Sequence, residues 1–146
     1  MSADGILDAL TEQLGCYKRL AKLAQIQHEH VRQSRTEQLL DVLQSRQEVL
    51  EQVAAFERVV APARRNWGEY LGRLDDSMRA RAEALLAETR GLLEQITAAD
   101  RDDAMVLQQR KLSLGKQISQ ARSARQVNRA YTAAYGTRKS HMDVQR

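Results

Sequence analysis

Apolar residues recur along the first part of the chain in steps of three and four. Leu7, Leu10, Leu14, Tyr17, Ala21, Ala24, His28 and Val31 keep this spacing without a miss, which draws a stripe down one side of a helix. Ser34-Arg35-Thr36-Glu37 follows as a capping box, predicting a new helix start with Ser34 accepting from the Glu37 backbone N–H. A second stripe then runs through Leu39, Val42, Arg46, Val49, Val53, Phe56 and Val60, widened by Leu40, Leu43 and Leu50. Pro62 sits near its end and kinks or closes that helix. The third stripe is Trp67, Leu71, Leu74, Met78, Ala82, Leu85, Thr89, Leu92 and Ile96, broadened by Leu86 and Leu93. Asp100 is the expected N-cap of a fourth segment, within the polar joint Ala98–Asp103. At ~1.5 Å per residue these helices are roughly 35–45 Å long. Each stripe has to bury itself against the others, so the pattern predicts an all-α fold of long antiparallel helices in an elongated bundle.

The fourth segment breaks this regularity. Leu107, Leu114, Ile118 and Ala121 share one side of a helical wheel. Val127, Ala130, Tyr131, Ala134 and Tyr135 centre on the order of 180° away, and Arg122, Arg125 and Arg129 occupy the direction that Ile118 faced. A straight helix cannot bury both sets in one core. Either it breaks between them and folds back, or the tail set serves something other than its own bundle.

Composition agrees with the helical reading. Charged residues make up 29% and aromatic residues 4%, with a single Pro, whereas β-rich and α/β chains need β-branched residues and turn signals. A chain of 146 residues fits one ordinary domain. Charge divides it: residues 110–146 hold nine Lys or Arg and one acid, Asp143, while 1–109 hold fourteen basic and eighteen acidic residues. The expected organisation is an acidic helical body over 1–109, a basic partner-binding helix over 110–136 and a disordered tail over 137–146. No apolar run is long enough to cross a bilayer, and no secretory signal is visible. One cysteine, Cys16, cannot form an internal disulfide and suits a reducing compartment, so a cytoplasmic location is expected.

Catalytic and metal chemistry find little to stand on. His28 and His30 are two apart and diverge on a helix, and Cys16 is about 18 Å from His28 along it. Asp75-Asp76 and the Asp100–Asp103 cluster lack the calcium-loop pattern and read as helix ends. Cys16 has no activating partner, and no glycine-rich phosphate loop occurs. No enzyme, cofactor, metal or small-molecule site is expected. The arginines Arg122, Arg125 and Arg129 form an i, i+3, i+7 basic stripe able to neutralise phosphates. The acidic body and the absence of an aromatic stacking platform argue against nucleic acid as the partner. No membrane insertion is expected, and a membrane-surface role is disfavoured because the Tyr131/Tyr135 side is short and mostly alanine. Val127, Tyr131 and Tyr135 form an i, i+4, i+8 row of the kind that seats a helix in a groove, with Leu114, Ile118, Ala130 and Ala134 beside it. The other reading is a structural coiled coil that self-associates and whose basic tail contacts nucleic acid or an anionic surface.

Three stretches resemble the FlgN-type flagellar export chaperones. They are the leucine pairs around a basic-Gln dipeptide in Leu39-Leu40-Asp41-Val42-Leu43-Gln44-Ser45-Arg46-Gln47-Glu48-Val49-Leu50, the stripe from Leu85 to Ile96 followed by Asp100, and the tail Ala130-Tyr131-Thr132-Ala133-Ala134-Tyr135-Gly136. The resemblance implies a cytosolic, all-helical type III secretion chaperone, either monomer or homodimer. Its C-terminal half would capture the helical ends of hook–filament junction subunits, FlgK and FlgL in the family. A tail tyrosine, Tyr131 or Tyr135, would contact the cytoplasmic domain of the export gate protein FlhA.

Overall fold

The segments that carry the stripes become helices because Ala, Leu, Gln, Glu and Arg, which crowd the chain, lose little rotamer freedom in a helix. A computed structural model describes the backbone of residues 3–143 and the side chains of 5–133. Its elements are α1 (Ala3–Arg32), α2 (Thr36–Arg65), α3 (Trp67–Gly72) and α4 (Asp76–Asp143), with no strand among the described residues. The chain forms two compact units, Met1–Val106 and Leu107–Arg146.

In the first unit α1 and α2 run antiparallel. Gln13 reaches Glu57 and Val53, Arg19 reaches Gln52, and Gln27 reaches Arg46. The first part of α4 runs parallel to α1, since Thr11 meets Arg81, Lys18 meets Glu88 and His28 meets Asp103. The stripes lie inside. Leu7, Leu10, Val60, Ala63, Tyr70, Leu74 and Ala82 form one apolar cluster. Cys16, Leu20, Ala24, Val49 and Ile96 form the next, and half-buried Phe56 packs against both. Four of the five widening leucines do not follow them in: Leu40, Leu43, Leu50 and Leu93 stay exposed, while Leu86 is half-buried. Three long helices bury a narrower stripe than the four-segment bundle the sequence suggested.

Both joints differ from expectation. Ser34 does not cap α2. It has φ 56°, and it ends α1: Ser34 N–H donates to Val31 O (3.3 Å) and Arg35 N–H to His30 O (2.9 Å). This is the paired 5→2 and 6→1 closure of a helix whose C′ residue is left-handed. The N-cap position of α2 is Arg35, with no side-chain cap bond. A left-handed non-glycine residue costs roughly 1–2 kcal/mol, offset in part by the extra unfolded-state freedom of glycine. Ser34→Gly is therefore expected to stabilise the fold by about 0.5–1 kcal/mol, read as a higher urea midpoint with an unchanged denaturant slope.

The third stripe is also not one helix. α2 runs through Pro62 and ends at Arg65, and the chain turns at Asn66 into the short α3. Trp67 and Tyr70 pack there with ring centroids 5.4 Å apart, a tilted aromatic pair. Asp75 then caps α4, accepting from Met78 N–H at 2.8 Å. Arg79 straps the break by donating to Leu71 O (3.0 Å) and Leu74 O (2.9 Å). The polar joint at Asp100 is no helix start, because α4 passes through it unbroken.

Asp100 instead belongs to a polar layer that closes the end of the first unit. Arg46, the odd member of the second stripe, donates from Nη1 and Nη2 to the two Asp100 carboxylate oxygens at 2.8 and 2.9 Å, and also to Gln27 Oε1 at 2.6 Å. Gln27 in turn donates to Asp103 Oδ2 at 3.0 Å, and His28 Nδ1 lies 2.6 Å from Asp103 Oδ1. The Asp100 hydrogen bond lifts the Arg46 guanidinium further above its ordinary value, against the opposing effect of burial. Gln13 anchors a second network deeper in, accepting from Arg64 at 2.7 Å and donating to Glu57 at 2.9 Å. Burial raises the nearby Tyr17 phenol above its ordinary pKa of 10.0, so it is neutral at neutral pH.

Candidate partner-binding site

Leu107 opens the second unit. From there the side chains change character: Leu114 is 58% exposed, Ile118 45%, Val127 67% and Tyr131 67%. Ala130 and the arginines Arg122, Arg125 and Arg129 are exposed as well. The side chains of Ala134 and Tyr135 lie outside the described residues, as do those of the tail expected over 137–146. Gly115 and the serines at 113, 119 and 123 do not interrupt the helix. Of the two alternatives left by the opposed stripes, a break between Ile118 and Val127 is thus not what α4 does. The two sets remain on opposite sides of one rod.

Two leucines belong beside the predicted residues. Leu112 is 63% exposed and Leu107 44%. Leu107 carried a signal, since it lies on the Ile118 side by spacing. Leu112 lies on the Val127 side, fifteen residues before it, too far for a three-or-four step to connect them. Large apolar side chains exposed in series along one segment make it the candidate interaction surface.

Electrostatics sharpen the description. From Ala104 to Met142 the sequence contains no Asp or Glu. On the Ile118 side the large apolar residues come first, with Lys111 among them, and the arginines follow, so the face is apolar in its first half apart from Lys111 and basic in its second. Elsewhere the chemistry is quiet. Cys16 is fully buried, with Arg19 Nη2 at 3.2 Å from its sulfur. Among the described residues no group of three or more His, Cys, Asp or Glu is placed to hold a metal ion. No helix searched is long and apolar enough to cross a membrane.

Neither the curated proteins nor the solved structures contain a match to the chain. The family model described as FlgN protein matches residues 1–139, which takes in the first unit and the exposed stretch of α4 alike. With nearly the whole sequence covered, the helical bundle and its exposed apolar segment belong to a member of the FlgN family, a family of flagellar export chaperones.

Proposed function

We propose that this protein is a cytosolic, non-enzymatic chaperone that holds helical segments of flagellar hook–filament junction subunits, FlgK- and FlgL-like, and delivers them to an FlhA-like export gate. Residues 1–109 are the body and 110–136 the binding helix. The observation that carries this reading is the series of exposed large apolar side chains from Leu107 to Tyr131. An amphipathic helix from a client covers such residues at i, i+3, i+4 and i+7 spacing. Ordering both partners on contact lowers the affinity for a given buried area, which suits a chaperone that has to release its cargo. Tyr131 or Tyr135 is the gate contact, a large apolar ring with a hydroxyl for the interface edge.

A chain ending at Gln109 retains both apolar clusters and the polar layer. It is expected to stay helical by circular dichroism while its affinity for a hook–filament junction subunit falls more than ten-fold. Undiminished affinity overturns the proposal. Tyr131→Ala with Tyr135→Ala is expected to weaken binding to the export gate and to leave subunit holding largely intact.

A further inference from the structure

The bipartite face of the second unit says what kind of helix it takes. We infer that the Ile118 side of α4 receives an acidic amphipathic helix, whose apolar positions meet Leu107, Leu114 and Ile118 and whose carboxylates meet Arg122, Arg125 and Arg129. This rests on the partner-binding reading and adds the chemistry of the partner. The two halves share one side of the helix, so a single straight ligand touches both. From Leu107 to Arg129 the side is about 33 Å long, which asks for a partner of roughly 22 helical residues with leucine-type positions in one half and carboxylates in the other.

Charge selects among occupants. The segment from Ala104 to Met142 has no carboxylate of its own, so a second copy of it sets arginine against arginine when parallel and arginine against leucine when antiparallel, and in neither case is the charge matched. A nucleic-acid backbone satisfies the arginines and leaves Leu107, Leu114 and Ile118, all exposed, with nothing apolar to cover them. An acidic amphipathic helix answers both halves. Three exposed ion pairs add little each, yet together they give about a ten-fold preference over a neutral helix. The leucine contacts supply the remainder and are indifferent to salt.

The test uses the full-length chain and fluorescein-labelled 22-residue helical peptides. Each has a leucine-striped half and a half carrying three glutamates at i, i+3, i+7, made in both chain directions. Matched versions carry glutamine in place of glutamate. One glutamate peptide is expected to bind about ten-fold tighter than its glutamine counterpart at 50 mM salt, with the gap closing at 500 mM. The variant carrying Arg122→Glu, Arg125→Glu and Arg129→Glu is expected to lose the preference, while Leu114→Ala with Ile118→Ala weakens both peptides equally. Equal binding of glutamate and glutamine peptides overturns the acidic-partner inference and leaves the docking reading standing. Failure of every peptide and of a hook–filament junction subunit overturns both. Tighter binding of a 24-base-pair duplex than of the glutamate peptide, abolished by the triple arginine variant, reassigns the face to nucleic acid. A dimer in sedimentation that the same variant dissolves reassigns it to a second copy.

Discussion

Tyr70→Ala is expected to destabilise the first unit by about 3–5 kcal/mol, the range for removing a fully buried aromatic side chain. Tyr70 is 2% exposed, and it heads the largest fully buried side chains among the described residues. It sits on the six-residue α3, which has no length to hold itself in place. An isolated helix that short does not form in water, so α3 exists through what it buries: Tyr70, half-buried Trp67 and Leu71, against Leu7, Leu10 and Val60. Truncating the ring removes the contacts that organise the helix as well as the area itself. A domain of this size has about 5–15 kcal/mol to lose, so the expected drop in melting temperature is on the order of 10–20 °C. Tyr70→Phe keeps the volume and is expected to lose much less. A Tyr70→Ala protein melting within a few degrees of the parent contradicts the account of α3 as a plug.

The second large effect is expected at Asp103. Its side chain is 3% exposed, accepts from Gln27 and lies against His28. A carboxylate only accepts, so the imidazole nitrogen facing it carries the proton. Asp103→Ala strands the Gln27 amide, itself 7% exposed, and removes the partner of His28. Unsatisfied buried polar groups cost about 1–3 kcal/mol each, and breaking a buried polar cluster costs about 3–5 at the upper end. A loss of about 2–4 kcal/mol is expected in urea unfolding. Asp103→Asn retains an acceptor and the shape, so it should recover a good part of this. A double-mutant cycle with Gln27→Ala is expected to show coupling of about 1 kcal/mol or more, the mark of a shared network. Additive losses contradict it.

The spacing of the apolar residues made the bundle legible, because a three-or-four period has one physical use in a soluble chain. The same spacing misjudged where helices end. Ser34-Arg35-Thr36-Glu37 has the letters of a capping box, yet the preceding helix reaches the same residues first and uses Ser34 to close itself. Two capping patterns compete for one serine, and only the packing of α1 on α2 decides between them. The break at Arg73–Asp75 was hidden because Leu71, Leu74 and Met78 keep the helical period across it. Asp100 and Asp103 read as a joint because acids favour helix starts, whereas their partners, Arg46 and His28, lie 54 and 75 residues away in sequence. Buried Gln13 carried no signal at all. For the candidate site, the opposition of Ile118 and Tyr131 was readable from angles alone. The exposure of Leu114, Ile118, Val127 and Tyr131 is a property of the folded chain.

Arg46 also answers how three similar rods choose one alignment. Between the two long helices and α4 the apolar layers are built mostly from aliphatic residues of similar size, and a shift of one heptad would still set Val beside Leu. Such a slip carries Asp100 about 10 Å from the guanidinium that grips it, and leaves an arginine facing hydrocarbon. The bidentate fork therefore works as a key: it contributes little to holding the rods together and a great deal to forbidding every other way of laying them side by side.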